Sequence, residues 1–482
     1  MKIPKEVEFV ISQLKKKGFE AYIVGGCVRD FLRGVEPQDW DVATNAKPEE
    51  IGKIFLRSYL DNKFGTVTVL TGSKNPRLKE IEITPYRIDE KYTDKRHPDS
   101  IRFAKTIEED LARRDFTINA IAADWKLEII DPFNGREDLE NKIIRAVGKA
   151  KDRFSEDALR MIRAVRLAAT LNFKIEEKTA KAIKENAPWL QAISKERIKD
   201  EFLKIIMTER ASDGVELLRQ LSLLKYIIPE LEEGYKVTQN KHHIYECYEH
   251  YLRSLEFAAK RNFNKHVRLA ALFHDIGKPR TKRGEGPDAT FYGHEVVGAK
   301  MTIKILNRLK FSKKDIEKIA KLVRYHLFYY NPDEVGDSSV RRLVRQVGPE
   351  NMEELLEVRM ADRIGSGVPK AEPYKLRHLR YLIEKVSQDP ISVKMLKVKG
   401  TDAIKILKIQ PGPKVGQILD ILLSYVLEEP KKNKKEFLEK EIKKLGELSD
   451  EKLKNLAQKA KNEREKLELK RDEMTKQKYW VT

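Results

Sequence analysis

A change of periodicity near residue 152 constrains this 482-residue chain most. Before it, short β-branched runs alternate with helical patterns. Ala21–Val24, Thr66–Leu70 and Glu80–Thr84 have strand length and strand composition. After it, strand signals stop. Leu159, Ile162, Val165, Leu167 and Ala168 recur at helical spacing, and that period continues to about residue 425. The expectation is an α+β chain in which a small α/β head precedes helical regions.

The head carries two short motifs whose order matters. Gly25-Gly26-Cys27-Val28-Arg29-Asp30 follows a strand and opens a helix. Paired glycines let backbone N–H groups approach a phosphate, and Arg29 in the first turn can reach the same anion. Asp39-Trp40-Asp41 follows. Alternation along a strand sends Asp39 and Asp41 to one side, with Trp40 and Val42 toward the core. Glu82 lies between Ile81 and Ile83 and points away from them, so a neighbouring strand could bring a third carboxylate. Clustered carboxylates repel unless a cation sits among them, and Mg²⁺ takes such oxygen ligands together with substrate phosphates. Phosphate turn plus acids reads as a two-metal site for phosphoryl or nucleotidyl transfer, with two Mg²⁺ ions on Asp39 and Asp41.

A second constellation lies in the helical half. His274-Asp275 ends the apolar run Val267–Phe273, and His250 and Asp362 lie on other helices. These four residues offer nitrogen and oxygen ligands to a divalent transition metal of unspecified identity. His294 and His326 are further candidates, with a buried core role as the alternative. His242 and His243 are nearby decoys.

The head motifs resemble the nucleotidyltransferase superfamily, and within it the class II tRNA nucleotidyltransferases and bacterial poly(A) polymerases. Arg113-Arg114-Asp115-Phe116-Thr117-Ile118-Asn119-Ala120 resembles the family's ribose-recognition motif. The i, i+4 spacing of Asp115 and Asn119 implies one helical face reading the 2′- and 3′-hydroxyls. Gly135–Leu139 resembles the head–neck hinge, Tyr92–Pro98 a mobile loop near the active site, and Ser194–Glu201 the motif that stabilises the neck.

Glu156-Asp157-Ala158-Leu159-Arg160 resembles the base-selecting motif. Asp157 accepts and Arg160 donates, a pair expected on one helical face. Cytosine and adenine each present an amino donor beside a ring acceptor and suit it. Uracil and guanine present a carbonyl where Asp157 needs a donor. Glu156 would brace Arg160, and Arg163 and Arg166 could meet phosphates. The second constellation resembles the HD phosphohydrolase superfamily, which follows the neck in a subset of these enzymes. That resemblance implies removal of a terminal or 2′,3′-cyclic phosphate from RNA.

The implied layout is a catalytic head over 1–150, a neck over 151–235, an HD domain over 236–385 and a tRNA-gripping body/tail over 386–482. Lys399–Asp402 and Gln410–Gly416 resemble tail segments that hold the tRNA elbow. The implied reaction adds C and A from CTP and ATP to the 3′ end of tRNA. An A-adding enzyme, a poly(A) polymerase, an HD-type RNA-end phosphohydrolase and a non-catalytic RNA chaperone remain alternatives.

Charge and composition agree with an RNA partner. Lys+Arg total 96 and Asp+Glu 76, a net charge of +20 that fits a polyanion such as the tRNA acceptor arm. After Pro430 the chain holds 17 Lys+Arg and 11 Asp+Glu. One or two exposed helices, or a partly disordered basic tail, are expected there. No apolar run approaches the ~20 residues of a membrane span. The N-terminus has no signal-peptide core, and Cys27 and Cys247 offer no disulfide framework. A cytoplasmic protein is expected, with its oligomeric state open.

Overall fold

The structure is a computed structural model that describes residues 2–60, 65–90, 100–240, 244–332, 334–387 and 393–481. The Tyr92–Pro98 motif, His242 and His243 lie outside the described residues.

A mixed sheet forms where the β-branched runs lie. Its strands are β1 (Ala21–Val24), β2 (Asp41–Thr44), β3 (Ser58–Leu60), β4 (Val67–Leu70) and β5 (Glu80–Pro85). A hairpin, β6 (Arg87–Glu90) with β7 (Ser100–Phe103), stands apart, and β8 (Ala122–Ala123) and β9 (Ile129–Ile130) return to the sheet. The order is β3-β4-β5-β2-β1-β8-β9. Within it β2 and β5 run parallel, with Asp41 opposite Glu82. The odd-numbered residues of β5, Ile81, Ile83 and Pro85, are buried, whereas Glu80 and Glu82 are exposed. This is the period-two pattern of a half-buried strand. Ile23, Val42, Ile81 and Ile83 pack with Val7, Val10 and Leu14 of the Lys5–Lys16 helix to form the head core. Trp40 joins that core, as its alternation with Asp39 and Asp41 requires.

Beyond residue 152 the elements are helical, apart from Lys174–Ile175, which pairs in parallel with Ile143–Ile144. The Leu159–Leu171 helix buries Leu159, Ile162, Val165 and Leu167. The chain divides into two compact units. The first holds residues 1–327 and 353–371, and the second holds 328–352 and 372–482. In the second, helices Lys435–Gly446 and Asp450–Tyr479 bury Leu438, Ile442, Leu445, Leu453 and Ala457 in one core with Ile418 and Leu422 of the Pro413–Glu428 helix. The two-helix reading of the basic end is the one the structure contains. No described helix is long and apolar enough to cross a membrane.

Candidate active site and candidate metal centre

The head cavity is about 490 Å³ and opens between the sheet and the Leu159–Leu171 helix. Gly25, Gly26, Arg29, Asp39, Asp41 and Glu82 line it from the head. Arg113, Asp115, Asn119, Asp157, Arg160, Arg163 and Arg166 complete it. Glu156 is absent from this lining. Arg160 Nη1 donates to it at 2.7 Å.

Asp39 lies just before β2 and Asp41 is its first residue, so the pair straddles the strand's start. Burial pushes the Asp41 carboxyl up to about 7, and the negative charge of Asp39 adds to the rise. Arg114 opposes it, and Glu82 raises it further. Three acids so placed are the donor set for a divalent cation. Facing them, seven arginines line the cavity, including Arg87 and Arg114. The acids suit metal, and the arginines suit a triphosphate.

Gly25 has φ +77°, and a Cβ there would lie 2.7 Å from Arg114 Nη1. The glycine therefore admits an arginine to the phosphate turn. Arg29 Nη1 donates to Asn119 Oδ1 at 2.8 Å, and its Nε and Nη2 hold Asp30. Buried Asp110 aims both following arginines. Its Oδ1 accepts from Arg113 Nε at 2.9 Å, and its Oδ2 from Arg114 Nη2 at 3.2 Å.

Two expectations of helical geometry need correction. Asp115 and Asn119 do not share a helical face. Asp115 sits in a bend, and Asn119 ends the short 3₁₀ turn Thr117–Asn119. Their side chains still meet, with Asn119 Nδ2 3.4 Å from Asp115 Oδ1. Asp115 is also engaged by Arg163, whose Nε donates to its Oδ2 at 2.8 Å. Burial raises the Asp115 carboxyl, but Arg163 and Arg160 outweigh it and hold it at about 2.

Asp157 and Arg160 are likewise not on one helix. Asp157 is extended, with φ −140° and ψ 104°, in the break after the Ala150–Glu156 helix. Its Oδ1 accepts from Leu159 N at 3.0 Å, which caps the next helix. Its main partner is Arg197, whose Nη2 donates to Oδ2 at 2.7 Å. Arg160 instead holds Glu156 and the Arg113 carbonyl. Asp157 and Arg160 both line the cavity, each with a different brace. Arg166 pairs with Glu201 at 2.7 Å, so its charge and that of Arg163 already have acidic partners.

The second site is built from five helical segments. His250 comes from the Cys247–Lys260 helix, while His274 and Asp275 follow Lys265–Phe273. His294 starts His294–Arg308, His326 follows Lys313–Tyr325, and Asp362 lies in Met352–Gly365. All six are buried. They form two donor groups sharing Asp275, one of His250, His274, Asp275 and Asp362 and one of Asp275, His294 and His326. Asp275 Oδ2 lies 3.0 Å from His250 Nε2 and 3.4 Å from His274 Nε2. Its Oδ1 lies 3.1 Å from His294 Nε2 and 3.5 Å from His326 Nε2. One carboxylate thus faces both groups, one oxygen to each.

Three of the imidazoles are oriented by backbone carbonyls three residues before them. Nδ1 of His274, His294 and His326 lies 2.8, 2.7 and 2.7 Å from the carbonyls of Ala271, Phe291 and Val323. That turns each Nε2 inward, the orientation a metal needs. Gly365 permits the packing here, because a Cβ would lie 2.1 Å from Ser254 Oγ. Burial pushes the Asp275 carboxyl up, but Lys278, 2.6 Å from its Oδ2, and the imidazoles hold it well below the carboxylate range. The donor set fits divalent transition metals.

Residues 21–145 match the family described as Poly A polymerase head domain. Residues 172–234 match the family described as probable RNA and SrmB-binding site of polymerase A, and residues 247–365 match the HD domain. The CCA-adding enzyme of Enterococcus faecalis is 32% identical over 442 residues, which cover 90% of this chain and 94% of that protein. The chain belongs to the CCA-adding enzyme family. A second CCA-adding enzyme, from Lactococcus lactis subsp. cremoris, is 45% identical over 236 residues. That match takes in 48% of this chain and spans 58% of the relative's length. Among solved structures, the Bacillus stearothermophilus CCA-adding enzyme in complex with CTP has a TM-score of 0.62 at 28% identity, covering 92% of this chain and 98% of that one.

Within this CCA-adding enzyme family member, sequence reasoning missed several residues that shape the sites. Arg114 and Asp110 carry a signal, the i, i+3 and i, i+4 spacing of Asp110 to Arg113 and Arg114. Lys278 carries the i, i+3 spacing to Asp275, whereas Arg197 and Glu201 lie inside the Ser194–Glu201 motif but hold Asp157 and Arg166 in other elements, which spacing does not show.

Proposed function

We propose that this chain adds C and A nucleotides from CTP and ATP to the 3′ end of tRNA without a nucleic-acid template, releasing pyrophosphate. The observation that carries this reading is the single cavity where Asp39, Asp41 and Glu82 stand opposite Asp157 and Arg160. In this reading the RNA 3′-hydroxyl attacks the α-phosphate, the bond to the pyrophosphate oxygen breaks, and pyrophosphate leaves. Gly25, Gly26 and Arg29 hold the triphosphate, while Asp115 and Asn119 read the ribose. Asp157 accepts from, and Arg160 donates to, the edge that cytosine and adenine share. Mg²⁺ held by Asp39 and Asp41, with Glu82 beside them, supplies charge neutralisation and a lowered hydroxyl pKa. The tRNA acceptor arm and elbow are the RNA surfaces this reading assigns to the basic protein, and the cytoplasm is its compartment. The test is incorporation of labelled CTP and ATP into tRNAs lacking the last three, two or one nucleotides. Addition of A alone would sink the CCA reading and leave an A-adding enzyme or poly(A) polymerase.

The two donor groups around Asp275 favour a second activity, hydrolysis of a phosphoester at an RNA end. Held by these residues, divalent transition metals supply Lewis acidity and a water of lowered pKa. Water adds to phosphorus, the ester P–O bond breaks, and the departing oxygen takes the proton. The test loads the full chain with Mn²⁺, Ni²⁺ or Zn²⁺ and follows phosphate release from glycerol 2-phosphate. Asp275→Asn should lower bound metal and abolish release. Failure of every metal to support release would end this reading.

A further inference from the structure

We propose that Tyr292 and Leu327 form a base clamp at the mouth of the second site, making a nucleoside phosphoester its substrate. This rests on the hydrolase reading above and goes beyond it by assigning the residues that recognise the base.

The cavity above Asp275 and Asp362 is about 780 Å³, larger than a bare phosphate requires. Two of its lining residues are large apolar side chains left in water. Tyr292 is 83% exposed and Leu327 is 53% exposed. Each sits directly beside the second donor group. Tyr292 is two residues before His294, and Leu327 immediately follows His326.

The backbone on either side of Tyr292 is held. His294 Nδ1 lies 2.7 Å from the Phe291 carbonyl, and Phe291 itself is buried. Gly293 between them is left-handed at φ +76°. Tyr292 is therefore an exposed ring on a fixed support, poorly explained as core packing. Exposed aromatic rings of this kind stack on nucleobases with little regard for base identity.

The rest of the wall supplies the complementary charge. Arg359 and Arg363 flank Asp362 on the Met352–Gly365 helix and line the same cavity. Arg359 Nη1 donates to Asp362 Oδ2 at 2.7 Å. Asn240 and Ser366 also line it and offer hydrogen-bonding groups of the kind a ribose needs. Exposed apolar side chains, hydrogen-bonding groups and arginines beside a buried metal-donor cluster supply the chemistry that base, ribose and phosphate each need.

The binding probe is 2-aminopurine riboside 3′-monophosphate, with excess CTP present to fill the head cavity. Stacking should quench its fluorescence on the wild-type protein, with or without added metal. Tyr292→Phe should keep the quench, and Tyr292→Ala should weaken binding roughly tenfold. Equal quenching by the wild type and Tyr292→Ala would overturn the clamp.

A second measurement compares kcat/KM for cytidine 2′,3′-cyclic phosphate and for glycerol 2-phosphate. The ratio should fall roughly tenfold in Tyr292→Ala and hold in Tyr292→Phe. An unchanged ratio overturns the clamp while leaving the hydrolase reading intact. Absence of turnover on both esters overturns the hydrolase reading, and the quench then decides the clamp alone. A short RNA ending in the same cyclic phosphate separates the two sources of this chemistry. Tighter Tyr292-dependent binding of the RNA than of the mononucleotide assigns the clamp to RNA ends, and the reverse assigns it to free nucleotides.

Discussion

Arg197 grips both carboxylate oxygens of Asp157, at 2.7 Å and 3.3 Å, from a helix that begins 38 residues further along the chain. The acceptor that would read the base is thus aimed by the Lys195–Ile206 helix, across the break between two other helices. A carboxylate held by a planar guanidinium fork has its lone pairs fixed in direction.

Arg197→Met should therefore lower kcat/KM for CTP and ATP by at least about tenfold and raise relative use of UTP and GTP. Arg197→Lys should recover little of the discrimination, since an ammonium is a point charge without a fork. Misincorporation assays with all four nucleotides check this. A uniform loss with unchanged base ratios would show that Arg197 only supports the fold.

Asp41→Asn should abolish nucleotide addition and yet stabilise the metal-free protein above neutral pH. The folded-state carboxyl is pushed up to about 7, above its ordinary value of 3.8. Between these values the folded state binds more protons than the unfolded chain, so stability falls as pH rises through that window. Asparagine has no such slope. Thermal unfolding in EDTA at pH 5 and pH 8 should show the variant gaining on the wild type at the higher pH. Saturating Mg²⁺ should shrink the gap.

The buried Asp115–Arg163 pair works in the opposite sense. Asp115 is held at about 2, below its ordinary 3.8. Its contribution, on the order of 2 kcal/mol, is fully present above the unfolded value and is lost as pH falls through the folded one. Asp115→Asn should cost stability at pH 6 and progressively less between pH 4 and pH 2. Urea midpoints across that range measure it. A constant difference would show that the ion pair contributes nothing through titration.

Arg268 is 1% exposed and finds backbone carbonyls rather than an acid. It donates to the carbonyls of Phe263, Ile206, Thr208 and Ala259 at 2.7, 3.0, 2.8 and 3.4 Å. Those of Ile206 and Ala259 are helix-end carbonyls of Lys195–Ile206 and Cys247–Lys260. Arg268→Met should cost about 3 kcal/mol or more, because several buried acceptors lose their donor together. Since Cys247–Lys260 also carries His250, bound transition metal should fall too. Calorimetry and metal analysis on the same samples check both.

Much of the head was legible because its signals are local. Alternation placed Asp39, Asp41 and Glu82 opposite the core, and the glycine pair marked the turn into Gly26–Leu32. The Asp41–Glu82 register was not legible, since parallel pairing of β2 and β5 joins strands separated by β3 and β4. At Glu156–Arg160 the expected conformation was wrong. An i, i+3 interval implies one face only if the helix is continuous, and at Asp157 it breaks. At the second site, residue type singled out His250, His274, Asp275 and Asp362 and left His294 and His326 with a buried core role as the alternative; the structure brings all six together. The bridging position of Asp275, with one oxygen toward each group, required five helical segments to converge.

The sequence by itself determined the α/β-to-helical transition, the acids and glycines of the head, and the histidines and aspartates of the second site. These follow from periodicity and from side-chain chemistry, which act over a few residues. The tertiary structure alone decided which arginine aims Asp157 and how Asp275 serves two donor groups. It also decided that Tyr292 stands in water beside His294. Each of these depends on contacts between elements, where packing sets direction and distance and sequence spacing carries no information.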